Sequence, residues 1–91
     1  MKEALEHVVW ADAWFDQDQM HDGHVRDEYL VQTVGFVIRE TGKVLSLAAE
    51  VLPDGEGYRA VTHIPKAVIV TRTPMPIPLA AMGAQGNGGG R

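Results

Sequence analysis

The sequence contains no cysteine and a single serine, and these two shortages exclude several kinds of chemistry. Without cysteine there can be no disulfide framework, no thiolate zinc or iron–sulfur site and no cysteine nucleophile. The one serine, Ser46, lies between two leucines in a predicted strand and lacks the glycine pattern of a nucleophile elbow. No glycine motif that binds nucleotide phosphates follows a strand and opens a helix. We therefore expect a protein that is not an enzyme.

The sequence also lacks a long uninterrupted apolar segment. Its longest uncharged stretch, residues 73–90, contains three prolines and five glycines, so it cannot form a membrane-spanning helix. The first residues do not combine a basic start with an apolar run, as a secretory signal would. These features predict a cytoplasmic protein that does not bind membranes.

Basic residues are scarce in the first third of the chain. Residues 1–28 contain two basic and eight acidic side chains, whereas residues 29–91 contain six basic and four acidic ones. The acidic third would repel a nucleic-acid backbone, so general DNA binding is not expected. A small anionic ligand is compatible with this distribution, because a few charge-assisted hydrogen bonds are enough to hold a phosphate.

The 91 residues, of which 45% are hydrophobic, are enough for one small domain. Runs of β-branched and aromatic residues separated by turn signals predict five strands, over residues 8–15, 30–40, 43–52, 58–64 and 67–73. Gly35 predicts a bulge or bend in the second strand. Pro65 predicts a tight turn between the fourth and fifth strands. Five short strands with these interruptions are typical of an all-β, SH3-like or Sm-like barrel with little helix.

Two segments outside the predicted strands have unusual compositions. The composition of residues 16–28 predicts a long acidic loop after the first strand. We predict a barrel domain over residues 1–75, followed by a Pro/Gly-rich arm and flexible tail over residues 76–91. The arm has apolar side chains that need a surface, so we expect residues 74–82 to pack on another subunit of a homo-oligomer. The alternative is that the arm folds back over its own barrel.

Alternation along the first strand places Trp10, Asp12 and Trp14 on one face. The other face, from Val9 to Phe15 at every second residue, is the expected core face. The two indole rings offer flat surfaces on which a base can stack, and Asp12 can accept a hydrogen bond from an exocyclic amine. The alternative is that both tryptophans pack in the core or under the loop.

Several basic side chains fall at strand ends or beside turns, where a phosphate can reach them. These are Arg39, Arg59, Lys66 and Arg72, and His63 lies just before the predicted turn at a barrel mouth. Solvated strand surface explains each of them equally well. The predicted ligand-binding residues are Trp10, Asp12, Trp14, Arg59, His63 and Lys66.

The acidic loop contains the densest group of possible metal ligands. His21 and His24 are three residues apart and can share a metal on a helical turn, with Asp18 as a further ligand. A metal site in a hydrolase also needs a third fixed ligand from a strand, so we predict no metal and no cofactor. A metal-dependent hydrolase that uses this loop is the alternative.

The segments VVWADAWF, VQTVGFVIRETGKVLSLAAEV and THIPKAVIVTRTPM resemble those of small uncharacterised proteins encoded by bacteriophages and prophages. The resemblance covers roughly residues 8–75. It rests on Trp10 with Asp12, on Val34-Gly35-Phe36, and on Ile64-Pro65-Lys66 with Ile69. The ending is also similar to the last two strands of Sm-like proteins, although Pro65-Lys66 stands where those proteins have Arg-Gly. The resemblance implies a phage or mobile-element origin and carries no activity with it.

Together these features predict a non-enzymatic phage accessory protein in the cytoplasm of an infected or lysogenic bacterium. Its expected partner is a host protein or a small, nucleotide-like anion. By analogy with phage proteins of similar size, the expected role includes counteracting host defence. A structural virion component, with the arm reaching onto a neighbour, is a further alternative.

Overall fold

The computed structural model describes residues 3–15 and 27–77, which form one antiparallel sheet of five strands. The strands are β1 (Ala4–Ala11), β2 (Leu30–Glu40), β3 (Val44–Val51), β4 (Tyr58–Pro65) and β5 (Ile69–Met75). The described residues contain no α-helix, only two three-residue 3₁₀ turns at Pro53–Gly55 and Lys66–Val68. No helix in this part of the chain is long and apolar enough to cross a bilayer. The prediction of an all-β fold with five strands is confirmed.

The order of strands across the sheet is β4-β3-β2-β1-β5. Strands β1 to β4 form a meander, and β5 returns to pair with β1. The edges of the sheet are therefore β4 and β5, and no ladder joins these two strands in the described ranges. The sheet is open, so the predicted closure into a barrel is not confirmed.

The core lies on one face of this sheet. Its fully buried side chains come from β1, β3 and β4 and are Val8, Leu45, Leu47 and Ile64. Further side chains pack against them, namely Trp10, Val37, Val68 and Ile69. Burial of each large apolar side chain is worth about 1.5–3 kcal/mol, and this is the main favourable contribution available to so small a domain.

The sheet is curved around this core. Val8 of β1 and Ile64 of β4 belong to the same cluster, although β2 and β3 separate their strands in the sheet. At the other end of β4, the hydroxyl of Tyr58 donates to Oε2 of Glu3, just before β1, at 2.6 Å. This hydrogen bond raises the pKa of Tyr58. Strands that are not neighbours in the ladder therefore meet across the concave face.

The core face of β1 is opposite to the predicted one. Val8 is fully buried and Trp10 packs against the core, whereas Phe15 is 81% exposed and lies beyond the end of the strand. The prediction was wrong because small apolar residues occupy both sets of alternate positions, so their pattern does not distinguish the faces. Trp10 marks the core side, and its Nε1 donates to Oγ1 of Thr33 at 3.0 Å.

Strand β2 contains one more residue than the β3 segment it pairs with. Val37 pairs with Leu47 and Arg39 pairs with Ser46, so Ile38 is left outside the regular register. An extra residue reverses the alternation of side chains beyond it. Arg39 consequently faces away from the core, although it follows the core-packed Val37 by two residues.

The predicted interruption of β2 exists, but it lies at Ile38 rather than at Gly35. Gly35 is buried, and a Cβ on it would lie 3.0 Å from the carbonyl oxygen of Ala48 and 3.0 Å from Cβ of Leu47. The glycine is therefore required by the close approach of β3, and its missing side chain is what allows that approach.

Thr41 organises the hairpin between β2 and β3. Its backbone N–H donates to the carbonyl of Val44 at 2.9 Å, and its Oγ1 accepts from the N–H groups of Lys43 and Val44 at 3.1 and 3.0 Å. The N–H of Lys66 donates to the carbonyl of Lys43 at 2.8 Å. The second 3₁₀ turn, which begins at Lys66, is thereby anchored to this hairpin.

The close packing at Gly35 gives a test of the fold. We expect Gly35→Ala to lower the free energy of unfolding by about 1–3 kcal/mol, because neither the backbone carbonyl nor the Cβ it meets can move aside freely. Gly42→Ala is the matched control, since a Cβ there meets nothing within 4 Å. Urea unfolding followed by circular dichroism measures both. Equal stabilities of the two variants would contradict the assigned register.

Candidate functional site

Three polar side chains form a row across neighbouring strands. In the ladder Arg39 of β2 pairs with Ser46 of β3, and Ser46 pairs with His63 of β4. Cross-strand partners share a face of the sheet. Since the flanking Leu45 and Leu47 face the core, this polar row lies on the opposite side, which we call the outer face.

The polar row lines a pocket of about 330 Å³, whose lining is completed by Thr41 and Val44. Ser46 is 2% exposed, whereas Arg39 and His63 are exposed. A buried hydroxyl thus lies between an accessible guanidinium and an accessible imidazole. The volume is at the lower end of the range for ligand sites, about 300–1,000 Å³, so it suits a small molecule or one group of a larger one.

The hydrogen bond between Ser46 and His63 orients the imidazole ring. Ser46 Oγ and His63 Nδ1 are 2.7 Å apart, so Nδ1 is occupied within the protein. A serine bonded to a histidine resembles half of a hydrolase triad. However, a carbonyl carbon cannot reach an Oγ this deeply buried, and no carboxylate in the described ranges hydrogen-bonds to His63. The pair therefore suits binding better than nucleophilic attack.

Arg39 is the cation best placed to meet a ligand in this pocket. The described residues include five Lys and Arg side chains, of which Arg59, Lys66 and Arg72 form ion pairs with carboxylates. Arg39 and Lys43 have no carboxylate partner within residues 3–15 and 27–77. Only Arg39 of these two lines the pocket, so its charge is available there.

The predicted basic residues are divided between the pocket and ion pairs. His63 lines the pocket. Arg59 Nε lies 2.6 Å from Oε1 of Glu50 on the exposed surface, and Lys66 Nζ lies 2.6 Å from Oε2 of Glu40. The structure thus brings His63 together with Arg39 and Ser46, and not with Arg59 and Lys66.

The structure does not group the predicted residues of the first strand either. Trp10 packs against the core, as in the alternative in which the tryptophans are buried. Oδ1 of Asp12 accepts from the N–H of Ala13 at 2.8 Å. Trp14 is 38% exposed and stacks on Tyr29, with ring centroids 6.1 Å apart. Each side chain makes a different contact, and none of them lines the pocket.

The alternative metal ligands Asp18, His21 and His24 lie outside the described residues. Within residues 3–15 and 27–77, no group of three or more His, Asp and Glu side chains is arranged to hold a metal ion. The prediction that the acidic loop binds no metal therefore stays a prediction.

Sequence reasoning did not find the pairing of Arg39 with Ser46, although a signal for it exists. The turn has two central residues, Gly42 and Lys43, which pairs Thr41 with Val44. Counting outward from a two-residue turn places Arg39 opposite Ser46 directly. The position of His63 beside them depends on the longer turn between β3 and β4, whose register does not follow from its length.

On the core side of the sheet, an ion network joins four separate elements. Arg72 of β5 binds Glu6 of β1 through Nε and Nη2 at 2.8 and 2.9 Å, and Glu40 of β2 through Nη1 and Nη2 at 2.9 and 3.2 Å. Lys66 of the second 3₁₀ turn binds Glu40 as well. Two bidentate contacts to one guanidinium are strong and directional. The network thus links β5 to the end of β2, with which it shares no ladder, and to the 3₁₀ turn that follows β4.

The ion network shifts the protonation of its members. Hydrogen bonds from Arg72 and then from Lys66 lower the pKa of Glu40 to about 2. Hydrogen bonds to Glu6 and then to Glu40 raise the pKa of Arg72. Glu40 therefore stays ionised under all but strongly acidic conditions.

No protein-family model, no curated protein and no solved structure matches the chain. The resemblance to phage-encoded proteins stays a prediction, since no match supports or opposes it. The function is therefore inferred from the geometry and chemistry of the pocket.

The ion network predicts a loss of stability in acid. Because the pKa of Glu40 falls from its ordinary 4.5 to about 2 in the folded protein, its contribution is present above the ordinary value and is lost as pH falls towards 2. We expect Glu40→Gln to lower the melting temperature at neutral pH. The difference from the unsubstituted protein should vanish near the folded pKa.

Melting curves recorded by circular dichroism between neutral pH and about pH 2 provide the measurement. Glu50→Gln is the control, since it removes an ion pair whose side chains are 68% and 52% exposed and that is worth only about 0–1 kcal/mol. A difference between Glu40→Gln and the unsubstituted protein that stays constant across the whole pH range would show that the Glu40 charge is not involved.

Proposed function

We propose that this protein is a small, non-enzymatic binding protein that holds an anionic, nucleotide-like ligand in the pocket on its outer face. The observation that carries this proposal is the position of Arg39, a cation without a carboxylate partner in the described ranges, in one row with Ser46 and the oriented His63. The ligand is expected to present a phosphate group to Arg39.

The residue types in the pocket favour a phosphate or carboxylate over a neutral ligand. A guanidinium presents a planar fork of N–H donors that matches two oxygens of an anion. His63 has Nδ1 committed to Ser46, so Nε2 is the nitrogen left for a ligand. The hydroxyl of Thr41 already accepts two hydrogen bonds within its own turn. The polar contacts to a ligand therefore come from Arg39 and His63.

The topology supports an SH3-like or Sm-like fold for the domain. The strand order β4-β3-β2-β1-β5, the bulged second strand and the 3₁₀ turn between the last two strands are the features that favour it. The curvature that brings Val8 and Ile64 together is in the direction that closure requires. Such a fold serves many functions, so it supports binding in general and not one particular ligand.

The proposed biological setting is a phage accessory protein in the cytoplasm of its bacterial host. Its support is the sequence resemblance around Trp10, Gly35 and Pro65. In that setting, sequestering a nucleotide-like signal would counteract host defence. The alternative partner, a host protein, would use a larger surface than this pocket offers.

The proposed ligand class is tested with adenosine 5′-monophosphate as the probe and adenosine as its uncharged counterpart. We expect the monophosphate to bind and adenosine not to bind. Arg39→Gln should weaken binding by about 10- to 100-fold, since hydrogen bonds to charged groups are worth about 1.5–3 kcal/mol. Isothermal titration calorimetry measures the affinity. Changes in the amide chemical shifts of Arg39, Ser46 and His63 on addition of the monophosphate show whether it binds in the pocket.

Arg59→Gln is the control, because it removes the same charge from the same sheet outside the pocket. Equal weakening by the two substitutions would indicate a general electrostatic effect and contradict the pocket. Equal binding of adenosine and its monophosphate would contradict the anionic ligand.

A further inference from the structure

A continuous row of apolar side chains crosses the outer face of all five strands. Successive cross-strand partners in the register form this apolar row, which consists of Met75, Leu5, Phe36, Ala48 and Val61. Partners in an antiparallel ladder share a face. Phe36 and Ala48 are the immediate neighbours of the core residues Val37 and Leu47, so the row faces away from the core.

The apolar row is only partly covered in the single chain. Ala48, within the row, is fully buried. Met75 is 39% exposed, and Leu5, Phe36 and Val61 are half-buried. Single exposed aliphatic side chains are ordinary on protein surfaces, but an apolar strip that crosses a whole sheet marks an interaction surface. With neighbouring strands about 4.8 Å apart, the five members span about 19 Å.

The chain itself supplies a segment of matching length and composition. Met75 is both the last residue of β5 and one end of the apolar row, and the sequence continues with Pro76 and Ile77. Residues 78–82 are Pro-Leu-Ala-Ala-Met, and glycine predominates after them. An extended segment over residues 78–82 reaches about 16 Å at about 3.1 Å per residue, which covers most of the span of the row.

The sequence after Met75 opposes docking on the same chain's sheet. The strand points along its own axis, whereas the apolar row runs across the strands, so the chain would have to turn sharply before Pro78. Pro76 fixes φ near about −65°. Ile77 precedes a proline, which disfavours the helical backbone region that a common turn needs at this position. A second molecule, placed beyond the end of β5, meets the segment without such a turn.

We propose that residues 78–82 of one chain bind the apolar row of a second copy, so that two chains exchange their arms in a symmetric dimer. A reciprocal exchange uses the same two surfaces on both chains, as two-fold interfaces do. Prolines in the arm reduce the conformational entropy lost on docking. The proposal is independent of the anion pocket, because no member of the apolar row lines that pocket.

The first test uses full-length variants and sedimentation equilibrium. The unsubstituted chain should be a dimer. Leu79→Asp in the arm and Val61→Asp in the row should each weaken dimerisation at least about 30-fold, since each places a charge where an apolar side chain was buried. Val70→Asp is the control on an exposed valine outside the row, 55% exposed, and should leave the dimer intact. A monomeric unsubstituted chain overturns the proposal.

The second test does not depend on any variant's stability. A photoreactive leucine analogue at position 79 is introduced into isotopically light chains, which are mixed with heavy chains lacking the analogue, and mass spectrometry identifies the cross-links. Light-to-heavy cross-links to the peptides that contain Phe36 or Val61 are expected. Cross-links confined to light chains alone, or cross-links outside the apolar row, overturn the proposal.

Discussion

The extra residue at Ile38 is the feature on which the two polar arrangements of this protein depend. In a regular strand, Arg39 would continue the core face of Val37, and Glu40 would point to the outer face. The bulge exchanges these directions. Arg39 therefore joins Ser46 and His63, while Glu40 shares the face of Leu45 and meets Arg72 and Lys66. One additional residue thus places Arg39, the cation of the pocket, and Glu40, the anion of the ion network, on opposite faces of the sheet.

The ion network connects β5 to parts of the sheet with which it forms no ladder. Strand β5 pairs only with β1 among the described strands, but the guanidinium of Arg72 also holds the end of β2. Lys66 joins the same carboxylate and is anchored by its backbone to the hairpin at Lys43. Because Glu40 follows Arg39 directly, the same strand end carries both the carboxylate of the ion network and the cation of the pocket.

The sequence predicts the local elements of this fold better than their mutual arrangement. The second to fifth strands lie within two residues of their predicted limits, since turn residues delimit them clearly. The first strand lies four residues earlier than predicted. Its core face is opposite to the predicted one, because valine and alanine occur on both faces. A glycine within a strand predicts either a bulge or the close approach of a neighbouring strand, and the sequence does not distinguish these two reasons for Gly35. The sequence position of His63 before a turn is enough to predict it as a ligand-binding residue. Its proximity to Arg39 and Ser46 depends on the cross-strand register, which the sequence alone does not determine.

The pairing of β5 with β1 also determines how this sheet can be assembled. Strands β2, β3 and β4 are joined by short turns and can form from contacts close in sequence, whereas Glu6 and Arg72 are 66 positions apart. Closing so long a loop is slow, because the chain loses conformational entropy before the stabilising contacts between β1 and β5 form. During synthesis, Val8 and Trp10 therefore stay without their complete covering until β5 has left the ribosome. Folding of this domain is expected to be completed after translation of β5, in a late step that seats the last strand.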